Sequence, residues 1–182
     1  VRSSAASDVY KRQIVYFHNR VETMGKETKT NAMRILDRMK IPYTLNQYQC
    51  DEFIDGVHVA DLLGQSYDES FKTIVTIGKS RSYYVFALPI DKEIDLKKAA
   101  KVVGEKNLEL LPVKDINKVT GYIRGGCTPI GMKKQYKTVI HESAKLLPQM
   151  IVSGGRLGEQ ILLKPDDLLR AVNGVYADII KE

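Results

Sequence analysis

Two β-forming runs separated by five residues constrain this chain more than any other feature. Residues 71–77 (FKTIVTI) and 83–88 (YYVFAL) are rich in β-branched and aromatic side chains, and the GKSRS between them reads as a hairpin turn. A link this short joins antiparallel strands, because a parallel pair needs a crossover of about a dozen residues or more. Around the pair, helical periods and short strands are interspersed. Ala32, Ile35, Leu36 and Met39 recur at helical spacing, with Thr30 or Asn31 as N-cap and Ile41-Pro42 ending the helix. Residues 43–49 alternate and read as a strand, and 57–63 as a short helix stopped by Gly64. Residues 95–103 read as a helix capped by Asp95 and Gly104, 108–110 as a brief strand, and 112–119 as a short helix ending near Gly121. Short strands are expected at 138–140, 150–152 and 161–163, and a closing helix from Lys164 to Val172 with Pro165 in its first turn. Strands and helices do not alternate regularly, so the expected class is α+β with a mixed sheet rather than a doubly wound one.

The 182 residues suit one domain, since domains run about 100–200 residues. A hydrophobic share of 43% beside 27% charged residues excludes disordered, collagen-like and coiled-coil classes. No apolar run approaches the ~20 residues of a membrane span. Two cysteines, Cys50 and Cys127, are too few for a disulfide framework or a four-cysteine zinc site, which favours a reducing, cytoplasmic setting. The net charge is +6, of which residues 1–23 carry +2; the remaining charge is compatible with a nucleic-acid partner without establishing one. Residues 1–13 lack a hydrophobic period and the apolar region of a signal peptide, and they resemble adaptor sequence read through in frame. Met24 looks like a natural start, so residues 1–23 are expected to be a non-native or disordered extension and 24–182 a single folded domain.

Most residue patterns that carry chemistry are missing from this sequence. His18, His58 and His141 form no His-Glu-x-x-His pattern and no close pair with cysteine, so no metal centre is expected. Cys127 has no strand–elbow–helix context and no nearby histidine to activate it as a nucleophile. The run 126–131 is followed by Met132 where a Walker loop needs lysine, and SGGRLG at 153–158 lacks the strand–helix–strand unit of a dinucleotide site. Three features remain. Strand alternation puts Lys72 on one face with Ile74 and Thr76, where it either snorkels at an edge or lines a cleft. Tyr48, sharing a face with Thr44 and Asn46, is either a half-buried core residue or lines the same cleft. GYIRGGCTPIG at 121–131 holds four glycines and a proline, which serve either tight turns or a ribbon that aims main-chain groups at a ligand.

In this order, the three features resemble the YbaK/EbsC family of free-standing aminoacyl-tRNA deacylases, related to the editing domain inserted in bacterial prolyl-tRNA synthetases. The resemblance runs from about Thr30 to the C-terminus. It rests on KIPYTL ending at Leu45 with Tyr48 beyond, FKT at 71–73, DLKKAA at 95–100, TGY at 120–122 followed by GGCTPIG at 125–131, and VSGGR at 152–156. It implies a mixed, partly barrel-like sheet flanked by helices and, as activity, release of mischarged amino acid, chiefly cysteine from tRNA(Pro), with no cofactor, metal or membrane involved. Lys72 is implied as the key catalytic residue at the aminoacyl-adenosine end. Gly125 and Gly126 are implied to supply backbone contacts, with Cys127, Thr128 and Pro129 in the same loop, while Tyr48 and Ser153 line the pocket. The family is taken to use the substrate's own cysteine thiol as nucleophile, which accounts for the missing side-chain base. The implied partners are the tRNA 3′ end and prolyl-tRNA synthetase.

Two positions depart from the family pattern. Gln160 aligns where many relatives carry an acid, and Cys127 stands where isoleucine or valine is common. The competing readings are deacylation of another amino acid such as alanine from tRNA(Pro), with water as nucleophile, and a non-catalytic module that binds tRNA ends or a synthetase. Retention of Lys72 together with the Gly125-Gly126 loop favours catalysis.

Overall fold

The computed structural model describes residues 28–182, so the extension read at 1–23 lies outside the described residues. Thr30 opens the first helix, α1 (Asn31–Arg38): its hydroxyl accepts from the Met33 N–H at 3.4 Å and donates to the Gly154 carbonyl at 2.7 Å. Lys40 takes a positive φ of 56° and the Ile41 N–H returns to the Leu36 carbonyl, so the helix closes before Pro42. Strand β1 (Thr44–Gln47) is shorter than the alternation predicts, with Tyr48 beyond it as an isolated bridge residue. Helix α2 (Gly56–Leu63) is capped by Asp55 and ended by Gly64. The predicted hairpin forms as β2 (Phe71–Gly78) and β3 (Tyr83–Pro89), paired antiparallel.

Helix α3 (Leu96–Val103) follows, then β4 (Leu108–Leu110). The helix expected at 112–119 divides into a 3-10 turn (Val113–Asp115) and α4 (Ile116–Thr120). The chain then forms β5 (Lys137–His141), a 3-10 turn (Glu142–Leu146), β6 (Met150–Ser153), β7 (Glu159–Leu163), α5 (Pro165–Val172) and β8 (Val175–Ala177). The second 3-10 turn and β8 were not expected. β8 is three residues long and exists through its parallel pairing with β5, a tertiary condition without a local sequence signature.

Two sheets result. One is antiparallel in the order β1-β7-β6, and the other is mixed in the order β4-β2-β3-β5-β8, its β3-β5 and β5-β8 pairs being parallel. Neither closes into a barrel; they touch through a parallel bridge between Ser70 and Ile151. Strand alternation divides the core between the two faces of the mixed sheet. Phe71, Ala87 and Ile140 pack with α1, α5 and the β6-β7 pair, whereas Phe86, Leu88 and Val139 pack against α3 and Ile179. Ile54, Val59 and Leu63 form a small third cluster against Tyr48 and Cys50. No described helix is long and apolar enough to cross a membrane.

The Asp95 carboxylate accepts from both the Lys97 and Lys98 N–H groups at 3.0 Å. Loss of such a cap costs ~1 kcal/mol. Asp95→Ala is expected to lower urea-unfolding stability by about that amount with an unchanged m-value, and to leave the cavity described below untouched.

Candidate active site

The outer edge of β2 is covered in two pieces. At its start the Ile151 N–H donates to the Glu69 carbonyl at 2.8 Å, and toward its end β4 pairs with Thr76, Ile77 and Gly78 while the Leu111 N–H donates to the Val75 carbonyl at 2.9 Å. Between these neighbours a cavity of about 440 Å³ opens against residues 70–75. Its other walls are the approach to α2, the segment after β4, the loop at Gly125 and Cys127, and Ser153 with Gln160 from β6 and β7.

Lys72 lies opposite Leu88 in the ladder, half-buried on the face it shares with Ile74. Its ammonium donates to the Ile90 carbonyl at 3.4 Å. Burial pushes its pKa below the usual lysine value, against the upward pull of the Asp91 and Glu93 carboxylates. Among the described residues no carboxylate comes within ion-pair distance of it. The result is a partly desolvated cation on the wall of a cavity, a setting in which its attraction to a developing anion is strengthened.

The glycine loop lines the same cavity. Gly125 has a φ of +89°, a conformation that L side chains rarely adopt, and a Cβ there would meet Leu157 Cδ2 at 2.6 Å. At Gly126 a Cβ would lie 2.7 Å from the Cα of Arg156. The two glycine turns, 121–131 and 153–158, therefore pack main chain against main chain. The Ser153 hydroxyl adds a bond to the Gly125 carbonyl at 3.3 Å, and the Tyr122 hydroxyl, one turn earlier, donates to the Ile130 carbonyl at 2.6 Å. At the mouth, the Arg124 guanidinium lies 3.9 Å from the centroid of the Phe53 ring.

The remaining wall is polar but uncharged. Gln160 Oε1 accepts from Asn46 Nδ2 at 2.9 Å and from Gln65 Nε2 at 2.7 Å, and Gln160 Nε2 returns a bond to Gln65 Oε1 at 3.1 Å. Three amides thus satisfy one another without a charge. Burial pushes the Tyr48 hydroxyl up to about 12 and the Cys127 thiol up to about 11. Both stay protonated at neutral pH, so Cys127 offers no thiolate and lines the cavity as a small soft hydrophobe.

The cavity brings together Tyr48, Lys72, Gly125, Cys127 and Ser153 from the residues expected at the site. Tyr48 reaches it although β1 and β2 belong to different sheets. Gly126, Thr128 and Pro129 do not line it: Gly126 backs onto Arg156 and donates its N–H to the Ile123 carbonyl at 3.0 Å, while Thr128 and Pro129 are buried behind the loop. Phe53, Arg124 and Gln65 were missed; the only cue was the position of Arg124 directly before the paired glycines. His58 pairs with Asp55 at the start of α2, and His141 binds Ser143 at 2.9 Å. Among the described residues no group of three or more histidine, cysteine, aspartate or glutamate side chains is placed to hold a metal.

Two outcomes are expected of variants here. Gly126→Ala puts a methyl against immovable main chain and is expected to cost ~1–3 kcal/mol in urea unfolding. Lys72→Met removes a cation that burial disfavours, so its urea midpoint is expected to rise. With a folded-state pKa below the unfolded one, the penalty that Lys72 imposes is fully present below the folded pKa and is relieved as the pH rises from that value to the unfolded one. The gain of the variant is therefore expected to shrink toward high pH in unfolding curves taken across the alkaline range.

The model of the aminoacyl-tRNA editing domain matches residues 56–171. Over 154 residues the chain is 44% identical to "Putative Cys-tRNA(Pro)/Cys-tRNA(Cys) deacylase EbsC" of Enterococcus faecalis (strain ATCC 700802 / V583), spanning 84% of this chain and 94% of that protein. Among solved structures, "Crystal structure of hypothetical protein APE2540" superposes with a TM-score of 0.75 at 20% identity, covering 83% of this chain and 99% of that one. "Crystal structure of a putative trans-editing enzyme for prolyl tRNA synthetase" does so with a TM-score of 0.71 at 19% identity, covering 86% and 100%. Both likenesses concern the fold. The sequence match over most of the chain is what establishes that it belongs to the aminoacyl-tRNA editing domain family.

Proposed function

We propose that this protein is a cytoplasmic aminoacyl-tRNA deacylase that removes cysteine mischarged onto tRNA(Pro). The observation that carries the reading is the shared cavity: Lys72 on β2 and Gly125 and Cys127 of the glycine ribbon line one space of about 440 Å³, within the ~300–1,000 Å³ of small-molecule sites. That space is walled by groups that bind and orient, and it lacks an activated side-chain nucleophile. Cys127 is held as a thiol, and no described histidine lines the cavity.

Such a site suits a substrate that supplies its own nucleophile. The thiol sulfur of the cysteinyl ester attacks the ester carbonyl carbon. A C–S bond forms, the C–O bond to the ribose 3′ oxygen breaks, and the thiol proton passes to that oxygen, giving the thiolactone and a free 3′ hydroxyl. The reaction is intramolecular, so the protein's task is to hold a near-attack geometry, worth effective molarities of roughly 10⁵–10⁸ M. Lys72 stabilises negative charge developing on the leaving 3′ oxygen. Tyr48, Ser153 and the ribbon fix the aminoacyl group. The net charge of only +6 predicts weak tRNA binding by this chain alone, so choice of tRNA is assigned to prolyl-tRNA synthetase as docking partner.

Deacylation of Cys-tRNA(Pro) and Ala-tRNA(Pro) by wild type and Lys72→Ala tests this. Wild type is expected to release cysteine much faster than alanine, and Lys72→Ala to lose about 10²–10³ in rate, as for removal of one preorganised stabiliser. Unchanged cysteine release by Lys72→Ala overturns the role of that residue. Equal turnover of the alanyl substrate overturns self-attack by the thiol.

A further inference from the structure

The two-piece covering of β2 has a consequence for its main chain. The Ile90 N–H donates to the Ser70 carbonyl and the Gly78 N–H to the Ser82 carbonyl, both at 2.9 Å, so even-numbered residues of β2 turn their N–H and C=O groups toward β3. Odd-numbered residues turn theirs outward. The Glu69 carbonyl accepts from the Ile151 N–H, the Val75 carbonyl from the Leu111 N–H, and Ile77 faces Glu109 in β4. Thr73 lies midway between these neighbours. It lines the cavity, is only half-buried, and among the described residues no group bonds its N–H or C=O. An unpaired donor and acceptor on one residue, inside a largely apolar space, call for a partner that carries the complementary pair.

An aminoacyl ester carries that pair on a single α-carbon: an ammonium that donates and a carbonyl that accepts. In an antiparallel hydrogen-bonded pair, two residues facing each other exchange both bonds. We infer that the Thr73 main chain binds the aminoacyl group as a one-residue antiparallel strand, its C=O accepting from the α-ammonium and its N–H donating to the ester carbonyl. This rests on the deacylase reading and adds to it a residue that polarises the carbonyl under attack and positions the amino acid by its backbone. The recognition is indifferent to the side chain, so selectivity falls to the surrounding walls: Cys127, and the uncharged Gln65–Gln160 amides.

Proline at position 73 tests the donor. It removes an outward-facing N–H that no ladder bond uses, the edge position at which a strand tolerates proline, and it favours the extended conformation that Lys72 already has. With Cys-tRNA(Pro), Thr73→Pro is expected to fall at least about tenfold in kcat/KM below Thr73→Ala, which keeps the N–H, with both variants melting cooperatively. The acceptor is tested with tRNA bearing a 3-mercaptopropionyl ester, which keeps the thiol and lacks the ammonium; wild type is expected to raise its KM for this substrate. Should Thr73→Pro fail to fold, the Thr73 amide resonance of ¹⁵N-labelled wild type reports directly. On addition of 3′-cysteinylamino-3′-deoxyadenosine it is expected to move downfield and to exchange more slowly with solvent. The inference is overturned if Thr73→Pro matches Thr73→Ala, or if that resonance stays in place while others around the cavity shift. A wild-type chain that neither turns over Cys-tRNA(Pro) nor binds the analogue overturns the deacylase reading, and the inference with it.

Discussion

The site exists because β2 has one complete neighbour and two partial ones. β3 pairs with it along its whole length and fixes its register, whereas β6 and β4 each take one end of the opposite edge. A sheet that covered that edge fully would leave no cavity, and one that left it bare would expose a strand to aggregation. The division between an antiparallel three-stranded sheet and a mixed five-stranded one produces the gap, and the same division keeps the two sheets from closing into a barrel.

The remaining parts of the site serve that gap. The two glycine turns pack main chain against main chain at Gly126 and Arg156, and Gly125 and Cys127 join the lining of the cavity. Lys72 is held where burial and the neighbouring Asp91 and Glu93 charges oppose one another. That balance costs stability and leaves a cation able to respond to charge appearing within the cavity, a familiar exchange at functional sites. The amide triad of Asn46, Gln65 and Gln160 ties β1, β7 and the residue after α2 into a wall with no net charge. Among the described residues, the one carboxylate that lines the cavity, Asp55, lies at the start of α2 and is already paired with His58.

Features with a local physical cause were readable from the residues. The hairpin at 71–88, the Asp95 and Gly104 caps and the Gly64 stop each follow from turn or cap chemistry within a few residues. β8 and the division of the 112–119 segment were not readable, because a three-residue strand is made by its partner β5. At the site, Lys72 and the glycine loop stood out by residue type, and the ordered set of motifs connected them. Whether Lys72 snorkelled or lined a cleft depended on how far β4 reaches along β2. That Gly126, Thr128 and Pro129 stand back from the cavity lining was unreadable for a related reason: a loop's sequence does not say which of its faces meets the cavity and which meets the 153–158 turn. The unpaired main chain of Thr73 has no sequence signature at all, since it follows from register alone.

The most direct measurement of the account is a crystal structure of the protein with a non-hydrolysable cysteinyl-adenosine, the ester oxygen replaced by nitrogen. The cysteinyl group is expected between the edge of β2 and the Gly125–Cys127 ribbon, its sulfur turned toward its own carbonyl and the ribose 3′ position nearest Lys72. Density for the analogue at any other surface, with the gap beside Thr73 left to solvent, would contradict it.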